Sequence, residues 1–294
     1  MRVTQSMLSS NMLRNLSNSY SKMSTLQDQI NTGKKITRPS QDPVIATKGI
    51  GYRTDLSKVE QYQRNLGEVN NWLDSSDDAL DHVGQAVIRI QELVTQAAND
   101  SNTNDDRKKI QVEITQLRQQ IQDLGNTKVG DKYIFSGTNT LTPLHDGTNF
   151  TDSTIYTGLS KEVKIEVYDG VEINVNTIGI QLFNDIDVML EKIETSLGEG
   201  SAGTVIGDYL SDISDMQNNV LAKRADIGAR QNRVEMMENR LASQEIIATK
   251  RMSENEDIDY ERAITDMITQ ESIHTAALSV GSKIIQATLV DFIR

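Results

Sequence analysis

The side chains that most often perform chemistry in proteins are few in this sequence, and they stand far apart. The chain has no cysteine, and its three histidines are His82, His145 and His274. Without thiolates or two histidines at helical spacing, the sequence offers no disulfide, no Cys nucleophile and no helical metal pair. The run GEGSAG lacks the Gly-Lys-Ser/Thr ending of a phosphate-binding loop. We therefore expect no catalytic residue, no metal and no cofactor.

Charged clusters are present, but their settings do not favour catalysis. Asp77, Asp78 and Asp81 could exchange protons with a substrate. They fall on the polar side of a helical pattern, so a solvated helix face is the simpler interpretation. The run GKK and Arg38 could bind phosphate, but the acidic surroundings favour an ordinary turn and surface role.

The charge and apolar content of the chain limit its partners. The formal net charge is −12 and the pI is about 4.8, whereas sequence-independent binding of nucleic acid needs clustered Lys and Arg. No stretch approaches the roughly 18 apolar residues that span a bilayer. The first 20 residues lack the apolar core of a secretory signal peptide. We expect no nucleic-acid partner, no membrane partner and no Sec-type export.

Apolar residues near both ends of the chain recur every three or four residues, as on one face of a helix. The N-terminal stripe consists of Met12, Leu16, Tyr20, Met23, Leu26 and Ile30. The C-terminal stripe, with its flanking row, includes Ile273, Ala277, Val280, Ile284, Leu289 and Phe292. Each stripe is thin and has no obvious local partner, so the helices must pair with each other or with another chain. These residues are our predicted assembly interface.

Two of the chain's three prolines fall in one short stretch, INTGKKITRPSQDPVIA, between two helical runs. Gly33 ends the first run as a C-cap glycine would. Pro39 and Pro43 disfavour helix at the residue before each of them. Ser40 or Asp42 can cap the second helix, with Pro43 in its first turn. The predicted joint between the helices consists of Gly33, Pro39, Asp42 and Pro43.

Long helical patterns follow this joint. Apolar steps of three or four run from Leu56 to Leu73 and from Leu80 to Ala97, and the run DSSDD between them could interrupt the helix. A third helix is expected over 110–124 and a fourth over 180–197. Near the end of the chain, SENEDID predicts an acidic break. Before it, a coiled-coil seam repeats every seven residues at Ile227, Val234, Leu241 and Ala248.

The period changes to two in the stretch EVKIEVYDGVEINV, which predicts a β-hairpin. A two-residue loop would set apolar faces against polar ones, whereas a three-residue loop pairs Val167 with Val171 and Ile165 with Ile173. We therefore expect a type I turn with a left-handed glycine that makes a bulge. The predicted turn residues are Asp169 and Gly170.

These patterns predict a mainly α fold. A long antiparallel helical rod, resembling a coiled-coil bundle, is formed by the N- and C-terminal segments and carries a small β-containing middle insert. The predicted divisions are 1–38 with 255–294 as a terminal assembly segment, 39–137 with 204–254 as a helical rod domain, and 138–203 as a β-containing middle domain.

Three stretches of the sequence resemble the flagellin superfamily, which includes bacterial flagellins and hook–filament junction proteins. The helix–turn–helix of that superfamily is similar to IQELVTQAANDSNTNDDRKKIQVEITQLRQQI. Its C-terminal segment is similar to SENEDIDYERAITDMITQESIHTAALSVGSKIIQATLVDFIR, and its N-terminal turn to INTGKKITRPSQDPVIA. The resemblance covers about 1–140 and 204–294.

Within the superfamily, three features of this sequence resemble those of junction proteins more than those of flagellins. The turn RPSQDP is closer to the hook-associated pattern, and GDKYIFSGTNT resembles the junction protein's entry into its middle domain. Flagellins usually carry a shorter Phe-Asn-Gly there. The ending LVDFIR also departs from the usual flagellin ending.

The resemblance implies a structural protein whose terminal segments are disordered in the free monomer and form an inner helical layer after assembly. The joint would connect this layer to an outer rod. The implied partners are further copies in a ring, the first hook-associated protein on the hook side, flagellin on the filament side and a cytoplasmic export chaperone at the C-terminal segment. The implied location is extracellular, after export by the flagellar type III system without a cleaved signal peptide.

Three other functions lead to different expectations. A minor flagellin would build long filaments on a seed, whereas a junction protein would stop at a short ring. A helical signalling or effector protein would have stably folded termini. An enzyme is the least consistent alternative, because no convergent nucleophile, base or metal set is visible.

Overall fold

The computed structural model describes residues 5–99, 102–147, 149–151 and 157–291. The helices are α1 (Gln5–Thr32), α2 (Pro43–Ala97), α3 (Asn104–Gly125), α4 (Ile180–Gly198), α5 (Gly203–Glu256) and α6 (Tyr260–Asp291). The strands are β1 (Lys128–Val129), β2 (Lys132–Tyr133), β3 (Lys164–Tyr168) and β4 (Val171–Asn174). The predicted fold class is confirmed: the protein is mainly α, with a small β-containing insert.

The chain divides into two compact units. The terminal unit comprises Met1–Lys58 and Gln244–Arg294, and the central unit comprises Val59–Ser243. The three-part division expected from the sequence describes layers of an assembly, and it stays a prediction.

In the central unit, α2 and α5 run antiparallel. Later residues of α2 contact earlier residues of α5. Asn70 Nδ2 donates to Glu238 at 2.7 Å, and Arg224 Nε donates to Asp77 at 2.9 Å. The heptad seam of α5 begins earlier than predicted. Its fully buried members are Ile206, Ile213, Val220, Ile227, Val234 and Leu241.

The expected interruption of α2 at DSSDD does not occur. Ser75 and Ser76 donate their hydroxyls to the carbonyls of Asn71 and Trp72, each at 2.8 Å and each four residues earlier. These bonds satisfy the hydroxyls inside the helix instead of competing with it. The side chains of Asp74 and Asp77 have partners on α5, and the helix continues from Pro43 to Ala97.

Helices α3 and α4 are held antiparallel by a partly buried ion-pair network. Arg118 of α3 donates to both carboxylate oxygens of Asp187, at 2.7 and 2.9 Å, and to Glu194 at 3.0 Å. Gln122 also donates to Asp187 at 2.7 Å. Burial raises the pKa of Asp187, but the hydrogen bonds from Arg118 and Gln122 outweigh it, so the net pKa is lowered.

Of the two cross-strand residue pairs predicted for the hairpin of the insert, one is present in the structure and the other is not. Ile165 lies opposite Ile173, as expected. The predicted pairing of Val167 with Val171 is wrong, because Tyr168 pairs with Val171 and the register shifts at Val167. The extra residue therefore sits in the first strand, one position before the turn.

Packing explains this shift. Val167 is fully buried, and the Tyr168 ring lies 4.2 Å from the guanidinium of Arg240. A regular ladder would not place both side chains against the helices, whereas a bulge turns the strand locally. Asp169 and Gly170 lie between the two strands, and Gly170 is left-handed with φ of 71°.

A second hairpin lies before the predicted start of the insert. Lys128 pairs with Tyr133 and Val129 with Lys132, and Gly130 between the strands has φ of 61°. Each strand has two residues. A ladder this short leaves no alternating pattern, so the sequence did not reveal it.

Replacing Asp187 with Asn should lower the free energy of unfolding by about 1–3 kcal/mol at neutral pH, because Arg118 loses its bidentate partner. The folded pKa of Asp187 is depressed, so its contribution is present above the unfolded pKa of about 3.9 and is lost as the pH falls through the folded pKa. Urea unfolding at several pH values measures this loss.

The matched control is Asp185→Asn, since Asp185 is exposed on the same helix. It should change stability by no more than about 0.5 kcal/mol. The assignment would be contradicted if the two substitutions lowered the free energy of unfolding equally. It would also be contradicted if the loss of stability caused by Asp187→Asn persisted unchanged below about pH 3.

Candidate assembly interface

Helices α1 and α6 of the terminal unit form an antiparallel pair. The rings of Tyr20 and His274 lie 6.2 Å apart. Towards the ends of the chain, a Cβ on Gly281 would overlap the side chain of Met12. At the opposite end of the pair, Gly33 approaches the hydroxyl of Tyr260.

The seam between α1 and α6 is narrow: small residues are buried in it, and Met, Leu and Ile side chains are half-buried along it. In α6 it follows a heptad-like spacing through Ala263, Met267, Gln270, His274, Ala277 and Gly281. Only Ser19, Ala263 and Gly281 are buried among the described side chains of this pair. The Oγ atom of Ser19 and Nδ1 of His274 are buried without a hydrogen-bond partner.

The structure divides the predicted interface residues into two groups. The half-buried group lies along the seam and consists of Met12, Leu16, Met23, Leu26, Ile30 and Ala277. Three others are exposed: Tyr20 by 63%, Ile273 by 49% and Val280 by 57%. Ile284 and Leu289 belong to α6, in a part whose side chains are not described, and Phe292 lies outside the described residues.

The two sides of the helix pair differ in polarity. At about 100° per residue, Ile273 and Val280 project to one side of the pair, and five other exposed apolar residues project to the other side. They are Leu13 and Tyr20 of α1 and Ile264, Ile268 and Leu278 of α6. We call this set the apolar face.

A polar groove of about 450 Å³ follows the opposite side. Its lining includes Lys22, Thr25 and Gln29 of α1 and Asp266 and Thr269 of α6. Sequence periodicity located the helices, but it did not separate the apolar face from the seam, because both recur every three or four residues.

The joint after α1 has the cap geometry expected at its two ends. Gly33 has φ of 70°, and its N–H donates to the carbonyl of Gln29 at 2.9 Å. Asp42, rather than Ser40, caps α2: its Oδ1 accepts the N–H groups of Val44 and Ile45 at 2.9 and 3.0 Å. Pro43 is the first residue of α2, and Pro39 is exposed within the joint.

A charged cluster that the sequence analysis missed lies beside this joint. Helix α5 ends at Glu256, which is only 5% exposed. Arg53 donates to its Oε2 at 2.6 Å, and Lys34 Nζ lies 3.6 Å from the same oxygen. Lys34 also donates to Asp257 at 2.7 Å. We call Lys34, Arg53, Glu256 and Asp257 the Glu256 cluster.

The cluster shifts the pKa values of three of its members, Lys34, Arg53 and Asp257, in the direction that favours their charged forms. The hydrogen bond to Asp257 raises the pKa of Lys34, and the same bond lowers the pKa of Asp257. The hydrogen bond to Glu256 raises the pKa of Arg53. Lys34, Arg53 and Asp257 are therefore held in their charged forms at neutral pH.

Gly49 makes room for the buried carboxylate. A Cβ at this position would lie 2.5 Å from Oε1 of Glu256. Gly49 occupies a buried position of α2, on the side that faces α5. A glycine at a seam position of a long helix was the one sequence signal that could have indicated this cluster.

Within the described ranges, no group of three or more His, Asp or Glu side chains could hold a metal ion. In the part of the chain that the structure describes, no helix is both long and apolar enough to cross a bilayer.

Two family models match the chain. The bacterial flagellin N-terminal helical region matches residues 3–140, and the bacterial flagellin C-terminal helical region matches residues 210–293. The chain belongs to the flagellin family.

Its relatives include flagellar hook-associated protein 3 of Escherichia coli K12, which is 23% identical over 92% of this chain and 93% of the relative. Flagellar hook-associated protein 3 of Salmonella typhimurium LT2 is 25% identical over the same shares. The structure of a flagellar hook-associated protein from Vibrio parahaemolyticus matches 74% of this chain and 100% of its own, at 22% identity and a TM-score of 0.66. That structure has the same fold.

Replacing Gly49 with Ala should destabilise the terminal unit, although alanine favours helix by about 0.5–1 kcal/mol. The new methyl group displaces Glu256, and displacement breaks its ion pairs with Arg53 and Lys34, at an expected cost of about 1–3 kcal/mol. Thermal unfolding followed by circular dichroism, with limited proteolysis at the joint, measures the effect.

The neighbouring Gly51 supplies the control, because no atom lies within 4 Å of a Cβ placed there. Gly51→Ala should leave the protein as stable as the wild type or stabilise it by up to about 1 kcal/mol. If Gly49→Ala behaves like Gly51→Ala, the space beside Glu256 is not required.

Proposed function

We propose that this chain is a structural protein of the bacterial flagellum that forms the junction between hook and filament. The observation that carries the proposal is the near end-to-end match to two hook-associated proteins 3, over 92% of this chain and 93% of each relative. A flagellin of Bacillus subtilis matches with similar coverage, 24% identity over 94% of each chain, so the filament role remains a second candidate. The flagellin family supplies structural subunits, so a role in assembly rather than in catalysis follows.

The apolar face supports self-assembly through the terminal helices. The exposed fraction is at least 47% within the single chain for each of Leu13, Tyr20, Ile264, Ile268 and Leu278. Burying one such side chain contributes about 1.5–3 kcal/mol. Neighbouring copies can therefore stabilise the helix pair by covering this face, and a ring of copies supplies such neighbours on each subunit.

The remaining assignments follow from the family resemblance. The ring contacts the first hook-associated protein on the hook side and flagellin on the filament side. A cytoplasmic chaperone holds the C-terminal segment before export by the flagellar type III system, and the assembled protein is extracellular. Gly33, Pro39, Asp42 and Pro43 then form the joint between an inner layer, 1–38 with 255–294, and the outer rod.

A filament role is the second candidate, because both matching family models describe flagellin regions. The two roles differ in the extent of polymerisation. A minor flagellin extends into long filaments on a seed, whereas a junction protein stops at a short ring.

Deleting the gene tests the junction role directly. We expect bare hooks by electron microscopy and monomeric flagellin in the medium, because exported subunits find no ring on which to assemble. Normal filaments in the deletion strain would refute the role. Filaments that are present but shortened, with seeded polymerisation of the purified chain, would favour the minor flagellin.

Replacing Ile268 with Glu should abolish assembly through the apolar face. Ile268 is 59% exposed in the single chain, so the monomer tolerates the charge, whereas an interface would bury it unpaired at a cost of several kcal/mol. Thr269→Glu is the control, since Thr269 lines the polar groove. Rescue of filament attachment in the deletion strain by Thr269→Glu but not by Ile268→Glu is expected. Equal rescue by both variants would exclude the apolar face from the interface.

A further inference from the structure

A cavity of about 250 Å³ opens beside the joint, within the terminal unit. Four apolar side chains and two arginines form most of its lining. They are Ile36, Pro39, Ile45, Ile50, Arg38 and Arg53. We call these six residues the joint pocket. Its walls are accessible, since Ile50 is 65% exposed.

The two arginines of the joint pocket differ in their charge balance. Arg53 is already paired with Glu256, at 2.6 Å. Arg38 is exposed, and no carboxylate in the described part of the chain forms an ion pair with it. The pocket therefore combines apolar walls with a cation whose charge is not balanced within the single chain.

The apolar face of the helix pair carries the opposite charge. On α6, Ile264 and Ile268 lie between Glu261 and Glu271, in steps of three, four and three residues that keep all four on one side of the helix. We call these four residues the α6 strip. Both glutamates are exposed, and neither forms an ion pair with a described residue.

A ring requires two different patches on each copy. When two copies use the same patch, the contact is satisfied at a dimer, whereas a head-to-tail contact between different patches can close into a ring. The apolar face must then meet some other surface of the next copy. The polar groove is a poor counterpart, because it would set isoleucine side chains against Lys22 and Asp266.

We propose that, in the assembled ring, the joint pocket of each copy receives the α6 strip of the next copy. The isoleucines enter the apolar cavity, and Arg38 pairs with Glu261 or Glu271 of the neighbouring copy. A cavity of about 150 Å³ can hold benzene, so the joint pocket has room for an isoleucine side chain. This contact rests on the proposed function, in which assembly orders the terminal helices.

Crosslinking in intact flagella tests the contact. The chain has no cysteine, so a single cysteine can be placed on either surface. Ala46→Cys marks the wall of the pocket, and Ile264→Cys marks the strip. The two variants, carrying different tags, are co-expressed in the deletion strain and treated with a short bismaleimide. We expect a mixed dimer of the two variants and no dimer from either variant alone.

The control for the crosslink is Val280→Cys, because Val280 is 57% exposed on the other side of the helix pair. Together with Ala46→Cys it should give no mixed dimer. A dimer formed by Ile264→Cys alone would mean that the apolar faces meet each other. That result, or a mixed dimer with Val280→Cys instead of Ile264→Cys, would overturn the proposed contact.

Reversing charges tests the ion pair. Arg38→Glu should lower the fraction of hooks that bear filaments at least about tenfold, because like charges then face each other across the interface. Adding Glu261→Arg or Glu271→Arg to this variant should restore attachment. Lys48→Glu is the matched control, since Lys48 is exposed nearby on α2 but does not line the pocket, and it should leave attachment unchanged.

Failure of both glutamate substitutions to restore attachment, or an equal loss with Lys48→Glu, would refute the pairing of Arg38. These results are separate from a failure of the junction role. Normal filaments in the deletion strain would refute the junction role, whereas the crosslinks report the contact in whatever assembly the chain forms.

Discussion

Helices α1 and α6 bury their apolar side chains against one another only in part. Met, Leu and Ile side chains are half-buried along the seam beside Ser19, Ala263 and Gly281, whereas Tyr20, Ile264 and Ile268 face away from it. This limit governs the design of the terminal unit. A narrow seam brings the two backbones close together, and it leaves the hydrophobic stabilisation of the pair to whatever covers its outer side.

The central unit has the opposite character. Its helices share a continuous apolar cluster from Val59 to Leu241, and Phe135 and Phe183 meet edge to face at a centroid distance of 5.0 Å. Arg118 ties α3 to α4, and the heptad seam of α5 packs against α2. One chain thus combines a self-sufficient core with terminal helices whose outer surface is still available. The division fits a subunit that must be folded in part and yet ready to associate.

The positions of the helices followed from the sequence, because periodic apolar residues and proline act locally. The Asp42 cap and the left-handed Gly33 are local features of this kind. The features that were missed depend on contacts between distant segments. Ser75 and Ser76 resemble helix breakers until their carbonyl acceptors are known, and Val167 leaves the ladder because of helices distant in sequence. Glu256 is ordinary in an acidic stretch, and only the fold brings Lys34 and Arg53 to it.

The antiparallel pairing of α1 with α6 also has a consequence for synthesis. Helix α1 starts at Gln5 and α6 ends at Asp291, so their contacts have nearly the largest sequence separation that the chain permits. Translation proceeds at roughly 5–20 residues per second, and α1 therefore leaves the ribosome tens of seconds before its partner exists. During that interval the first helix is a nascent segment with nothing to pair with. Nearly the whole chain must be translated before this contact can form, and the terminal unit is the last part of the protein that can fold.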